Sequence, residues 1–167
     1  IEGAINATVS WSMAGFTSAK NAKEKGNEFW VSILGPGRIT EVTANGSSTA
    51  EVVTGLCTIP YNSTGNTPEG KAGVHDIDLT EAARFYIGKD GYFDVDTDPT
   101  GLEVWKNPES MFSMKVDGMT AETRIVFIAC DADNLTMETG EGWDVREGNS
   151  KYKSNRKLFD NLRVVEN

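Results

Sequence analysis

Short apolar segments with period-two alternation are the feature that most constrains the fold of this chain. Near the start, Val9, Trp11 and Met13 alternate with polar residues, so an extended backbone would place all three on one face. About nine or ten such stretches follow one another, separated by Gly, Pro, Asn, Asp and Ser. Strands of this length between turn residues are typical of all-β proteins. The pattern therefore predicts an all-β fold with almost no helix.

Chain length and the arrangement of the strands predict one domain. The chain has 167 residues, close to the common size of a single domain, and no repeat or linker divides it. Two packed antiparallel sheets, or a barrel, bury strands of this kind. We expect residues 1–167 to form a single β-sandwich. The stretch "RIVFIAC" from Arg124 to Cys130 is apolar on both faces, which predicts a central strand covered on both sides.

Two local segments carry more specific predictions. "NGSS" from Asn45 to Ser48 predicts a tight turn that joins the flanking strands as a hairpin. The segment from Thr80 to Gly88 allows two interpretations. Either a helical turn begins at Thr80, or the segment is extended and Arg84 and Tyr86 share one face.

Charge limits the classes of partner. The chain carries 25 acidic and 16 basic residues, a formal net charge of -9. Nucleic-acid affinity depends mainly on Lys and Arg contacts to phosphate, so neither a nucleic acid nor an anionic membrane surface is expected as a partner. No run of 18 apolar residues is present, so no membrane-spanning helix is predicted. A neutral or cationic ligand fits this charge best.

The residue types favour binding over catalysis. The single histidine, His75, alternates with Ile77 and Leu79, so we interpret it as a packed structural residue and expect no histidine-based catalysis. A pair of carboxylates suffices for glycoside hydrolysis, and that possibility stays open. Spacing does not show whether Cys57 and Cys130 pair. We expect a protein that is not an enzyme.

Aromatic residues opposite the apolar faces are the sharper functional signal. Sugars present C–H faces that stack on aromatic rings, together with hydroxyl groups that pair with polar side chains. A sugar-binding face therefore needs aromatics outside the core, beside polar residues. The alternative is that these aromatics complete a minor core beneath a covering loop. The candidate ligand-binding residues are Trp30, Tyr92, Trp105, Tyr86, Arg84, Asp94 and Glu103.

The C-terminal stretch "LFDNLRVV" adds a family resemblance. Phe159, Asp160, Asn161, Leu162 and Val164 resemble the last strand of β-jelly-roll carbohydrate-binding modules of the family 4, 16 and 22 type. Those modules end in an aromatic or aliphatic residue, then Asp-Asp or Asp-Asn, then alternating apolar residues. Their usual opening, Asn-Gly-Asp-Phe-Glu followed by Trp, is absent here. The resemblance implies a jelly-roll β-sandwich.

The resemblance also implies a function and a metal. It implies non-catalytic binding of a plant polysaccharide, with xylan as the first candidate and β-glucan as the second. The attached catalytic domain would be a bacterial glycoside hydrolase, secreted or at the cell surface. A structural calcium ion is implied too, with Asp160 as a ligand and Glu2 as its partner. We expect a monomer. A cell-surface adhesion or interaction β-sandwich and a small jelly-roll glycanase are the alternatives.

Overall fold

The fold is described by a computed structural model that covers residues 3–17, 28–53, 57–62, 74–79, 81–94, 96–129, 135–138, 142–145 and 157–167. Two short 3-10 helices, Val104–Lys106 and Pro108–Ser110, occur in this part of the chain. None of its helices is long and apolar enough to cross a bilayer. The strands are β1 (Ile5–Thr17), β2 (Glu28–Leu34), β3 (Arg38–Thr43), β4 (Thr49–Val53), β5 (Cys57–Asn62), β6 (Val74–Leu79), β7 (Glu81–Tyr86), β8 (Tyr92–Asp94), β9 (Met111–Met119), β10 (Arg124–Ala129), β11 (Leu135–Glu138), β12 (Gly142–Val145) and β13 (Lys157–Glu166).

Two main antiparallel sheets make up the domain. The first has the order β13-β1-β9-β3, with β8 also pairing with β1, and the second has the order β10-β2-β7-β4. The short β8 runs parallel to the end of β1, whereas the other neighbours in both sheets are antiparallel. Two separate two-stranded sheets pair β5 with β6 and β11 with β12. The prediction of an all-β fold is confirmed, and two antiparallel sheets agree with the predicted β-sandwich.

Strand pairing in the two sheets is nested along the sequence. Taken from the ends of the chain inward, β1 pairs with β13, β2 with β10, β3 with β9 and β4 with β7. These pairs alternate between the two sheets, so successive strands cross from one sheet to the other. β1 with β9 and β2 with β7 complete the sheets. The chain is thus folded over as one long antiparallel hairpin, and each long-range pair brings distant parts of the sequence together.

The turn from Asn45 to Ser48 forms, but the predicted hairpin is wrong. The Ser48 backbone N–H donates to the Asn45 carbonyl at 3.0 Å, and Gly46 takes a positive φ of 62°, which glycine adopts without steric cost. The flanking strands, however, join different sheets: β3 pairs with β9 and β4 with β7. The turn therefore connects the two sheets of the sandwich, because β3 and β4 each pair with a strand that comes much later in the chain.

One predicted face of each major strand forms the core. The apolar residues of β1, β2 and β9 alternate as expected and meet between the two sheets. Trp11 lies at the centre and contacts four phenylalanine rings. The buried residues at these alternating positions are Val9, Trp11, Met13, Phe29, Val31, Ile33, Phe112, Met114 and Val116.

The prediction of a central position for "RIVFIAC" is wrong. β10 is the end strand of its sheet in the part of the chain that the structure describes. Ile125 and Phe127 nevertheless pack against the core, and Phe127 also contacts Phe159 of β13 with ring centroids 4.7 Å apart. An apolar run shows that a strand is covered on both faces. It does not show whether the strand has neighbours on both edges.

A β-bulge explains the polar pair inside the last strand. Asp160 lies opposite Ser12 and Arg163 opposite Ser10, so Asn161 and Leu162 together face one residue of β1. Asn161 adopts φ 57°, a left-handed conformation that Asn tolerates better than most residues. Its backbone N–H donates to Asp160 Oδ1 at 2.7 Å, and its side-chain amide donates to Ser12 Oγ at 3.3 Å. The bulge therefore explains why Asp160 and Asn161 stand in the middle of this strand.

Candidate functional site

Three candidate residues meet on the outer face of the four-stranded sheet. Trp30 of β2 lies directly opposite Arg84 of β7, and Arg84 lies opposite Glu51 of β4. The Arg84 guanidinium carbon is 5.7 Å from the centroid of the Trp30 ring and 5.1 Å from that of Tyr86. Arg84 Nε donates to Glu51 Oε1 at 2.6 Å. We call Trp30, Arg84, Tyr86 and Glu51 the Arg84 cluster.

The Arg84 cluster holds its guanidinium in one orientation. A cation over an aromatic ring is attracted by the ring quadrupole, and Arg84 has such a ring in both Trp30 and Tyr86. The ion pair with Glu51 fixes the plane of the Arg84 guanidinium. The Arg84 side chain is 31% exposed and that of Glu51 is 54% exposed, so the cluster reaches the protein surface. The extended interpretation of this segment is confirmed, and the helical turn is wrong.

Trp30 differs from the prediction. Its ring was expected on an exposed face, but Trp30 is 0% exposed. The expectation of exposure is wrong, and the alternative, a second covered face, describes Trp30. Ser32 on the same face is also 0% exposed and donates from its hydroxyl to the Glu81 carbonyl at 2.8 Å. Trp30 can therefore support the Arg84 guanidinium but offers no free surface to a ligand.

Tyr92 and Asp94 belong to the other sheet. Tyr92 lies on β8 opposite Gly15, and a Cβ at Gly15 would be 2.3 Å from Tyr92 Cε1. The ring thus lies across the glycine and packs against the core. Asp94 supports the turn that follows: its Oδ1 accepts from the Asp96 backbone N–H at 3.0 Å. These two residues have structural contacts on the opposite side of the core from Trp30.

Trp105 and Glu103 lie outside the sheets. Trp105 is half-buried in the first 3-10 helix, and Glu103, just before it, forms an exposed ion pair with Lys106 at 2.7 Å. Asp98 accepts from the Glu103 backbone N–H at 2.9 Å, which fixes the start of this segment. The candidate aromatics Trp30, Tyr92 and Trp105 therefore do not share one sheet face. Alternation within each strand identified the faces but not the sheet that each strand joins.

The calcium ligands stay a prediction. Asp160 is exposed, and its carboxylate accepts the Asn161 N–H that closes the bulge. Calcium takes roughly six to eight oxygen ligands, and the described residues contain no group of three or more His, Cys, Asp or Glu side chains suited to a metal. Glu2 lies outside the described residues, as does Cys130, and nothing is described of the side chains of Cys57 and His75.

Glu109 is a buried carboxylate that the sequence did not single out. It lies in the second 3-10 helix and is 7% exposed. Its Oε1 accepts from the backbone N–H and the hydroxyl of Ser47, both at 2.8 Å, and its Oε2 accepts from the Asp90 backbone N–H at 2.8 Å. A Cβ at Gly88 would lie 2.4 Å from Oε2. The carboxylate therefore joins the turn after β3 to the turn after β7.

Hydrogen bonding keeps this carboxylate charged. Burial by itself would raise the pKa of Glu109, but the bonds from Ser47 and Asp90, with the nearby Lys89 charge, lower the pKa below its ordinary value. With three protein donors on its two oxygens, Glu109 is a structural residue. Gly46 and Gly88 indicate turns. Nothing in the sequence, however, shows which of the 25 acidic residues packs between these turns.

A shallow surface cleft of about 380 Å³ is a further candidate site. It lies between the start of β1 and the β2–β3 and β9–β10 connections. None of its lining residues is aromatic, so it lacks the ring surface that sugar stacking needs. The lining residues are Gly3, Ala4, Pro36, Thr120, Ala121 and Glu122.

Comparison of the chain with protein-family models, with characterised proteins and with solved structures finds no match. Functional inference therefore depends on the geometry of this chain.

Replacing Tyr92 with phenylalanine is expected to stabilise the protein by about 1 kcal/mol. The Tyr92 hydroxyl is buried and has no hydrogen-bond partner among the described residues, and an unsatisfied buried hydroxyl costs free energy. Burial raises the pKa of Tyr92 from 10.0 to about 12. The neutral phenol thus contributes stability that is present below pH 10 and lost as the pH rises through about 12. Urea unfolding of Y92F and wild type measures both effects. A loss of stability in Y92F at neutral pH would show that the hydroxyl has a partner.

Proposed function

We propose that this domain is a non-catalytic β-sandwich that binds a polysaccharide on the outer face of its four-stranded sheet, at the Arg84 cluster. The observation that carries the proposal is the fixed guanidinium of Arg84, 5.1 Å from the half-buried Tyr86 ring and bonded to Glu51. A guanidinium donor, an aromatic ring and a carboxylate acceptor lie side by side here. Together they complement the hydroxyl groups and the C–H faces that a sugar presents. Because they are already held in place, binding costs less side-chain entropy.

Charge and chemistry favour a neutral glycan. The sugar C–H face would stack on Tyr86, while Arg84 and Glu51 pair with hydroxyl groups. The net charge of -9 would repel a polyanionic chain at low salt. Xylan is the first candidate and β-glucan the second, as the C-terminal resemblance implies. Trp105, Tyr92, Asp94 and Glu103 have no place in this revised site.

The nested strand pairing supports the finer proposal of a jelly roll, because rolling a long antiparallel hairpin produces pairs of this kind. The proposal includes attachment to a bacterial glycoside hydrolase, secreted or at the cell surface. Binding would then raise the local concentration of the enzyme on its substrate. Calcium near Asp160 remains part of the family expectation and is not needed for this mechanism.

Affinity gel electrophoresis against soluble xylan and β-glucan tests the proposal. We expect one of them to retard the wild type, and Y86A to weaken binding about tenfold or more, since losing a ring contact removes about 1–2 kcal/mol. W105A is the matched control and should keep full retardation, because Trp105 lies outside the Arg84 cluster. Retardation lost in W105A but kept in Y86A would contradict the site. No retardation by any glycan would contradict the function.

An adhesion or interaction module is the second candidate function. The observation that favours it is a group of exposed large apolar side chains on β13, which belongs to the other sheet from the Arg84 cluster.

A further inference from the structure

β13 is a ten-residue edge strand with an unusual number of exposed apolar side chains. It ends the order of its sheet, so within the described residues only β1 pairs with it. Natural proteins usually protect long edge strands with charges, Pro or coverage by other elements. Here four large apolar side chains remain accessible: Phe159 at 44%, Leu162 at 48%, Val164 at 46% and Val165 at 58%.

The bulge at Asn161 decides which charged residues of β13 share a face. In a regular strand, residues an odd number of positions apart point to opposite faces. Across the bulge this relation is reversed. Asp160 and Arg163 lie opposite Ser12 and Ser10 of β1, two positions apart, and therefore share a face.

The same holds for the residues at the two ends of β13. Lys157 and Glu166 lie opposite Gly15 and Ala7 and share the other face.

This arrangement makes β13 complementary to itself. If a second copy adds its β13 antiparallel to the first, with the symmetry axis at the bulge, Asp160 faces Arg163 of the second copy and Lys157 faces Glu166 of the second copy. The same register places Phe159 opposite Val164 of the second copy. Directly opposite residues in an antiparallel pair must share a face, and the bulge satisfies this condition for every pair.

We propose that two copies of this chain associate through antiparallel pairing of their β13 edges, so that the first sheet continues from one copy into the other. A second copy of this chain is the partner that fits, because each charged residue of β13 lies opposite a residue of opposite charge when the strand pairs with its own antiparallel copy. It replaces the expectation of a monomer and does not depend on the proposed sugar binding. If both hold, the dimer presents two Arg84 clusters and gains avidity for a polymer.

Sedimentation velocity across a range of chain concentrations tests the proposal. Wild type should show a monomer–dimer equilibrium. D160R and R163E should each weaken self-association about tenfold or more, since each places like charges opposite one another twice in the symmetric pair. An equimolar mixture of D160R and R163E should recover the dimer, because both pairs are then of opposite charge.

V164K should also weaken association, whereas L102K, at an exposed apolar residue outside β13 (60% exposed), should not.

Two results would overturn the proposal. One is wild type that remains a monomer at millimolar concentration. The other is a dimer that D160R, R163E and V164K leave unchanged, which would place the interface elsewhere. Thermal melts of each variant establish that it is folded, and all the substituted residues are exposed. A short oligosaccharide that occupies one Arg84 cluster should bind wild type and V164K equally, because it gains no avidity from the dimer, and this keeps the test separate from that of sugar binding.

Discussion

Replacing Glu109 with glutamine should lower the free energy of unfolding by about 3–4 kcal/mol. The substitution turns one acceptor oxygen into an amide donor that faces the N–H groups of Ser47 or Asp90. A buried donor left without an acceptor costs about 1–3 kcal/mol, and hydrogen bonds to a charged group are stronger than neutral ones. Because the carboxylate joins two turns at 7% exposure, little water can replace it. Urea unfolding at neutral pH measures the loss.

The pH dependence gives this prediction a second readout. The folded pKa of Glu109 is below its ordinary value, so its contribution is fully present above the unfolded pKa and is lost as the pH falls through the folded pKa. The difference between wild type and E109Q should therefore shrink in acid. E103Q is the control: Glu103 is exposed and pairs with exposed Lys106, so we expect a much smaller change, because exposed ion pairs contribute little to stability. Equal effects of E109Q and E103Q would contradict the structural role.

Replacing Trp11 with alanine should cost about 3–5 kcal/mol, as is typical of large aromatic residues in a core. Trp11 is 2% exposed and joins the two sheets. On one side its ring stacks with Phe112 at 6.3 Å between centroids. On the other it makes edge contacts with Phe85 and Phe127, both at 5.2 Å. Removing the ring leaves a cavity that neither sheet can close without moving its strands.

W11F separates the packing contribution from the polar one. The Trp11 indole N–H is buried and finds no hydrogen-bond partner in the part of the chain that the structure describes, so phenylalanine loses ring area but no hydrogen bond. We expect W11F to cost about 1 kcal/mol, well below W11A. The measurement is urea unfolding monitored by circular dichroism. A loss in W11F as large as that in W11A would show that the indole N–H, rather than the ring, supplies the stability.

The alternation was sufficient to predict the major core strands and their buried faces. Val9, Trp11 and Met13 alternate with polar residues, and burial of one face requires that pattern wherever the strand is placed. Which strands pair with one another could not be predicted from the sequence. The same tight turn from Asn45 to Ser48 suits a hairpin and a connection between two sheets. The turn residues therefore could not show which of the two connections forms. The choice is made by β9 and β7, which lie far along the chain.

The candidate site was predicted in part for the same reason. Arg84 and Tyr86 were expected to share a face of an extended segment, and they do. Trp30 was grouped with them only as a candidate ligand-binding residue; the register places it opposite Arg84, and its burial depends on what covers that face. Glu51 was missed, because cross-strand neighbours are set by register and not by local sequence. Glu109 was missed because its donors come from two distant turns.

The most direct test of the proposed sugar-binding face is a ¹H–¹⁵N correlation titration with an oligosaccharide of the glycan that retards the protein. We expect the largest shifts at the Arg84 side-chain Nε–H and at the backbone amides of Tyr86 and Glu51. Shifts centred on Trp105 and Tyr92, with the Arg84 signal unchanged, would contradict it.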